Sequence, residues 1–103
     1  MLTHVVLMRF KDPADAPEAR DRLEQLAPLV REIRSMRLGL DVLDTPVSYH
    51  LSMITRHAGP DELAAYQRHP EHLLLARWLR PRLADRAVVD SVDDDPREGA
   101  DDD

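Results

Sequence analysis

The chain has 103 residues, 43% of them hydrophobic, with 14 basic and 20 acidic side chains, five histidines and no cysteine. That length holds one domain, and the absence of thiols removes disulfides, thiolate metal sites and thiol nucleophiles, leaving any catalysis to His, carboxylate, Tyr, Ser or Thr. The net charge of −6 belongs to the stretch after Val92, where seven acids face Arg97 alone, so the body up to Val92 is formally neutral and offers no basic face for nucleic acid.

The chain divides into a folded domain over 1–92 and an acidic tail over 93–103. The tail carries no large apolar residue to offset its ordering entropy and is expected to be disordered. The longest apolar run, Leu73 to Ala76, is far short of a membrane span, and Met1-Leu2-Thr3-His4 lacks the basic opening of a signal peptide. A cytoplasmic protein with neither membrane nor nucleic-acid partners is expected.

Thr3 to Phe10 is apolar and β-branched and ends at Lys11-Asp12-Pro13, which predicts a first strand. His4, Val6, Met8 and Phe10 point to one side and Val5, Leu7 and Arg9 to the other. Both faces are largely apolar, so both are expected to be covered. From Asp15 to Met36, Leu23, Leu26, Val30 and Ile33 recur at helical spacing, predicting an amphipathic helix kinked at Pro28.

Leu40 to Leu43 and Val47 to Thr55 read as a hairpin turning at Asp44-Thr45-Pro46, with His57 solvated in the loop that follows. Pro60 opens a helix to Arg68, and Pro70 opens another that runs toward Leu83, with His72, Leu75, Leu79 and Leu83 on one stripe. Ala87 to Val92 is the last strand.

The order β-α-β-β-α-β predicts an α+β, ferredoxin-like protomer, a four-stranded antiparallel sheet with helices on one face. The face carrying Val5 and Leu7 is then bare, and a second copy of the sheet is its natural cover. A homodimer with two sheets packed as a barrel follows.

The densest chemical cluster is Tyr66-Gln67-Arg68-His69-Pro70-Glu71-His72. Pro70 at a first helical position puts His69 near the N-cap, where a structural role bonding backbone groups competes with ligand binding, and His72 shares the stripe that faces the sheet. His4 lies on the helix-facing side of strand one, and His50 shares a face with Ser52 and Ile54, so His4, His50 and His72 are candidates to line the space between sheet and helices. Such a cavity suits proton transfer on a small carbonyl compound, with imidazole as acid or base and the Tyr66 phenol donating to an enolate. Trp78 is a candidate pocket wall, though core or interface is the commoner use of a helical Trp. His69 and His72 alone are too few ligands for a zinc site, and no metal or cofactor is expected.

His4 to Lys11, Tyr49-His50-Leu51, Leu63 to His72 and Val88-Val89-Asp90 together resemble the stress-responsive α/β-barrel domain, or Dabb, family, its Y-x-x-H-P-x-H element most specifically. The family includes olivetolic acid cyclase-like polyketide cyclases. The resemblance implies a dimeric α/β barrel, and for catalysis it implies Tyr66 and His72, the latter as general base, with His4 and His50 as further cavity histidines. Ile54-Thr55-Arg56-His57 departs from the pattern, which usually places an aromatic at this strand exit, and aromatics are few, so a flat aromatic substrate is not implied.

The resulting expectation is a stress-linked homodimer binding a small, partly apolar molecule, with His4, His50, His69 and Trp78 as ligand-binding candidates. The alternatives are a cofactor-independent cyclase or lyase using His72 and Tyr66 on a carbonyl or polyketide-like ligand, and a non-catalytic accessory module binding a protein.

Overall fold

A computed structural model describes residues 1–92. The acidic tail lies outside the described residues. Strand β1 (Leu2–Phe10) alternates buried and half-buried residues along its whole length, with Leu2, His4, Val6, Met8 and Phe10 facing the core. Helix α1 (Asp15–Leu26) buries Ala16, Ala19, Leu23 and Leu26.

The helix expected to continue, kinked, to Met36 instead ends at Leu26 and tightens into a 3-10 turn over Ala27–Leu29. Pro28 has no amide proton to bond the preceding turn and its ring crowds the carbonyl below, so the helical ladder stops there. Val30, extended and buried, carries the chain out of the helix.

Strand β2 (Ser35–Leu40) begins five residues earlier than the hairpin reading placed it. Met36, Leu38 and Leu40 alternate against the core, and their period of two was hidden because Ile33 and Met36 also satisfy a helical step. The connection to β3 (Leu51–His57) is a loop over 41–50, in which Asp44 adopts a positive φ of 50°. The strand predicted over Val47 to Thr55 is thus shifted, and His57 is its last, fully buried residue rather than a solvated loop residue.

Helix α2 (Pro60–Arg68) buries Leu63 and Tyr66, and α3 (Pro70–Leu79) leads through a 3-10 turn over Arg80–Arg82 into β4 (Leu83–Val92), four residues longer at its start than predicted. The sheet order is β2-β3-β1-β4, all neighbours antiparallel, with β1 central and β4 at an edge. The helices cover one face, and α1 packs against α3. This is the predicted ferredoxin-like architecture. The opposite face carries Val5 and Leu7 of β1 between Ile54 of β3 and Val89 and Ala87 of β4, with Val89 63% exposed. No described helix is long and apolar enough to cross a membrane.

Candidate active site between sheet and helix

A cavity of about 280 Å³ lies between the sheet and α3. Val6 and Met8 of β1 and Met53 of β3 form its apolar floor, and Leu75, Ala76 and Leu79 of α3 cover it. His4, Tyr66, Gln67 and His72 supply its polar wall, while Arg80 and Arg86 stand at its rim. Its size is at the small end of ligand pockets.

His72 sits in the first turn of α3, on the stripe that Pro70 sets facing inward. Its Nδ1–H donates to the carbonyl of Gln67 at 3.1 Å, because a carbonyl only accepts. Nε2 is therefore the basic nitrogen. Burial lowers the His72 pKa from its usual value, against the Gln67 bond, with Arg80, Arg86 and His4 lowering it further. The neutral ring meets Tyr66 edge-on, centroids 4.7 Å apart.

Tyr66, three residues after Leu63 on the inner stripe of α2, is 1% exposed, and burial pushes its phenol up to about 12, opposed by Arg86. It stays protonated at neutral pH, a hydrogen-bond donor. His57 stacks on its other face at 5.3 Å. The His57 Nδ1–H donates to the Glu32 carbonyl at 2.6 Å, and Thr55 Oγ1 lies 2.8 Å from Nε2, where its hydroxyl donates to the neutral ring. Burial lowers the His57 pKa, with the Glu32 bond opposing it. This locked ring fixes Tyr66 in place.

His4 completes a row of rings, edge-on to His57 at 6.4 Å. Its Nδ1 is hydrogen-bonded to the Asp90 carboxylate on β4, its cross-strand partner, which fixes the tautomer and leaves Nε2 as the unengaged nitrogen. The sheet register alone brings these residues, 86 apart in the chain, together.

The remaining candidates stand elsewhere. His50 precedes β3 on the parity of Ser52 and Ile54, opposite to that of Leu51 and Met53, and is absent from the cavity wall; its Nδ1 accepts from the Phe10 amide at 2.9 Å. His69 is the N-cap of α3, accepting from the Glu71 amide at 3.1 Å. Trp78 is likewise off the cavity, held between the guanidinium groups of Arg22 and Arg82 at 4.3 and 4.4 Å. No cluster of three or more His, Cys, Asp or Glu capable of holding a metal occurs among the described residues.

Sequence reasoning missed His57, Arg80 and Arg86 at this site. The signal for His57 was the alternation Leu51, Met53, Thr55, His57, which runs one polar step beyond the apolar stretch.

Comparison with known structures places the same framework in several organisms. A dimeric ferredoxin-like protein of unknown function from Thermobifida fusca is 26% identical, with a TM-score of 0.78 over 88% of this chain and 89% of that one. The At3g17210 protein of Arabidopsis thaliana is 23% identical, with a TM-score of 0.78 over 92% and 97%. A hydroxynitrile lyase from Passiflora edulis shares the fold at 14% identity, with a TM-score of 0.76 over 91% and 94%. Among curated proteins no sequence matches. The profile of the stress responsive A/B barrel domain matches residues 2–93, nearly the whole described chain, and the protein belongs to this Dabb family.

Proposed function

We propose that the protein is a cytoplasmic homodimer that binds a small, partly apolar carbonyl compound in the cavity between sheet and α3. The observation that carries this reading is the cavity itself: an apolar floor of Val6, Met8 and Met53 beside one wall where Tyr66 and His72 converge. A non-catalytic accessory module would have no use for such a space. The dimer is supported by the apolar outer sheet face and by the dimeric relative from Thermobifida fusca.

The Tyr66 and His72 arrangement favours a second step at the same site, cofactor-independent acid–base catalysis. The His72 Nε2 accepts a proton from carbon next to the carbonyl, the electron pair moves into the enolate, and the Tyr66 hydroxyl donates to the enolate oxygen. The enolate carbon then attacks a second carbonyl of the same molecule, and the alkoxide formed takes the proton back from His72. The Passiflora edulis protein is a lyase on this framework, so the fold accommodates catalysis.

NMR titration of the histidine ring signals, with small carbonyl and polyketide-like compounds, tests the binding. The His72 signals are expected to move on adding a ligand; a His72 indifferent to every compound overturns the reading. For catalysis, His72→Ala is expected to lower turnover of a substrate so identified by about a hundredfold or more with the fold intact, and an unchanged rate removes His72 as the base.

A further inference from the structure

The rim of the cavity differs from its floor in a way the row of rings leaves unused. Arg80 opens the 3-10 turn after α3, and Arg86 stands on β4 opposite Met8 of β1, so one approaches from the helix side and one from the sheet side. Both are exposed.

Of the thirteen arginines, only Arg80 and Arg86 among the described residues line this cavity, and several of the others are held in ion pairs. Arg22 meets Glu18, Arg34 meets Glu62 and Arg82 approaches Asp15. Arg80 and Arg86 have no ion-pair partner among the described residues. Asp90, on the cavity-facing parity of β4, already bonds His4.

Two guanidinium groups therefore overlook an apolar space whose acidic neighbour is occupied and whose nearest imidazole, His72, is held neutral by burial. Their field reaches the reacting groups, since both act on His72 and Arg86 acts on Tyr66. A neutral ligand would leave this double charge unanswered. A carboxylate answers it with charge-assisted hydrogen bonds, for which the planar guanidinium is suited.

We infer that the ligand of this cavity is a small organic carboxylate, its charged end held at the rim by Arg80 and Arg86 and its apolar body lying on Met8, Leu79 and Leu83. Its carbonyl, one bond or more further in, faces Tyr66 and His72. This deepens the proposed function and rests on that reading of the cavity.

Calorimetry and histidine-ring NMR on the full chain, with levulinate and para-acetylbenzoate compared against levulinamide and para-acetylbenzamide, test it. The carboxylates are expected to bind about tenfold or more tightly than the matching amides, with the preference falling as salt rises. The Arg80→Gln, Arg86→Gln double variant is expected to lose the preference while binding the amides as before, its fold checked by circular dichroism.

Equal affinity for acid and amide, or a preference that survives the double variant, overturns the inference; in either case movement of the His72 signals leaves the carbonyl-binding cavity standing. Silence of His72 toward all four compounds overturns the carboxylate inference and counts against the cavity reading as well.

Discussion

His57 and His72 hold their rings where a charge is poorly solvated, so each costs the fold something when the solution turns acidic. Burial lowers both pKa values, and the unfolded chain therefore binds more protons than the folded one once the pH drops below the ordinary histidine value of about 6.5. Stability is then lost as the pH falls through that value toward the folded ones. Glu62, held at about 2 by the Arg34 guanidinium and the Ala58 amide, adds a loss in the same direction beginning near its ordinary value of 4.5. The thermal midpoint is expected to fall in two stages on acidification, and His57→Gln to flatten the first; a midpoint that is level between neutrality and pH 5 contradicts this. His4 and His72 could be placed in the cavity from strand parity and helix stripe. His57 could not, because a polar residue continuing a strand's inner face looks locally like the start of a loop.

At the scale of the element, α3 is fastened to α1 by its outer edge as well as its apolar stripe. Trp78 lies between Arg22 of α1 and Arg82 of the following turn, whose Nη1 also donates to the Trp78 carbonyl at 2.7 Å. Trp78→Ala removes a half-buried indole and both cation–π contacts, and about 2 kcal/mol of stability should go with it, read from the urea midpoint. Arg22→Ala should cost about 0.5–1 kcal/mol and shift the Trp78 fluorescence; if the spectrum stays put, the stacking is not formed in solution.

The elements whose limits were legible are those with a chemical stop: Pro60 and Pro70 at helix starts and Lys11-Asp12-Pro13 after β1. The start of β4 and both ends of the β2–β3 hairpin were misplaced, and the end of α1 was overrun although Pro28 marks it, because Val30 and Ile33 carry the helical spacing past the proline. There Ile33 and Met36 fit two periodicities, and the choice is made by pairing with β3, a contact that local pattern does not contain.

For the whole molecule the decisive surface is the sheet face opposite the helices. Val5, Leu7, Ile54, Ala87 and Val89 meet there across three strands, and Val47 of the loop over 41–50 shares a shallow depression with Leu7 and Gly39. An apolar face of this kind on a body of zero formal charge favours self-association. Sedimentation velocity at micromolar concentration should give a dimer, and Val89→Asp, at an exposed site, should shift it toward monomer by at least tenfold in dissociation constant without loss of secondary structure. A folded wild-type monomer under those conditions contradicts the dimer. Strand one announced this arrangement, since apolar residues on both of its faces ask for two covers and the helices provide one.

Strand β4 serves both of these surfaces with alternate residues. Arg86, Val88 and Asp90 share the side of the sheet that holds the cavity, Arg86 lining it and Asp90 bonding His4, while Ala87 and Val89 lie on the outer side. A slip of β4 by one residue against β1 would put a valine under His4 and a carboxylate into the apolar sheet face, spoiling the site and the dimer surface in a single error. An edge strand has only one neighbour to hold its alignment, so a second subunit seated on the outer face would act as a proofreader of the cavity, accepting only the alignment in which Asp90 reaches His4.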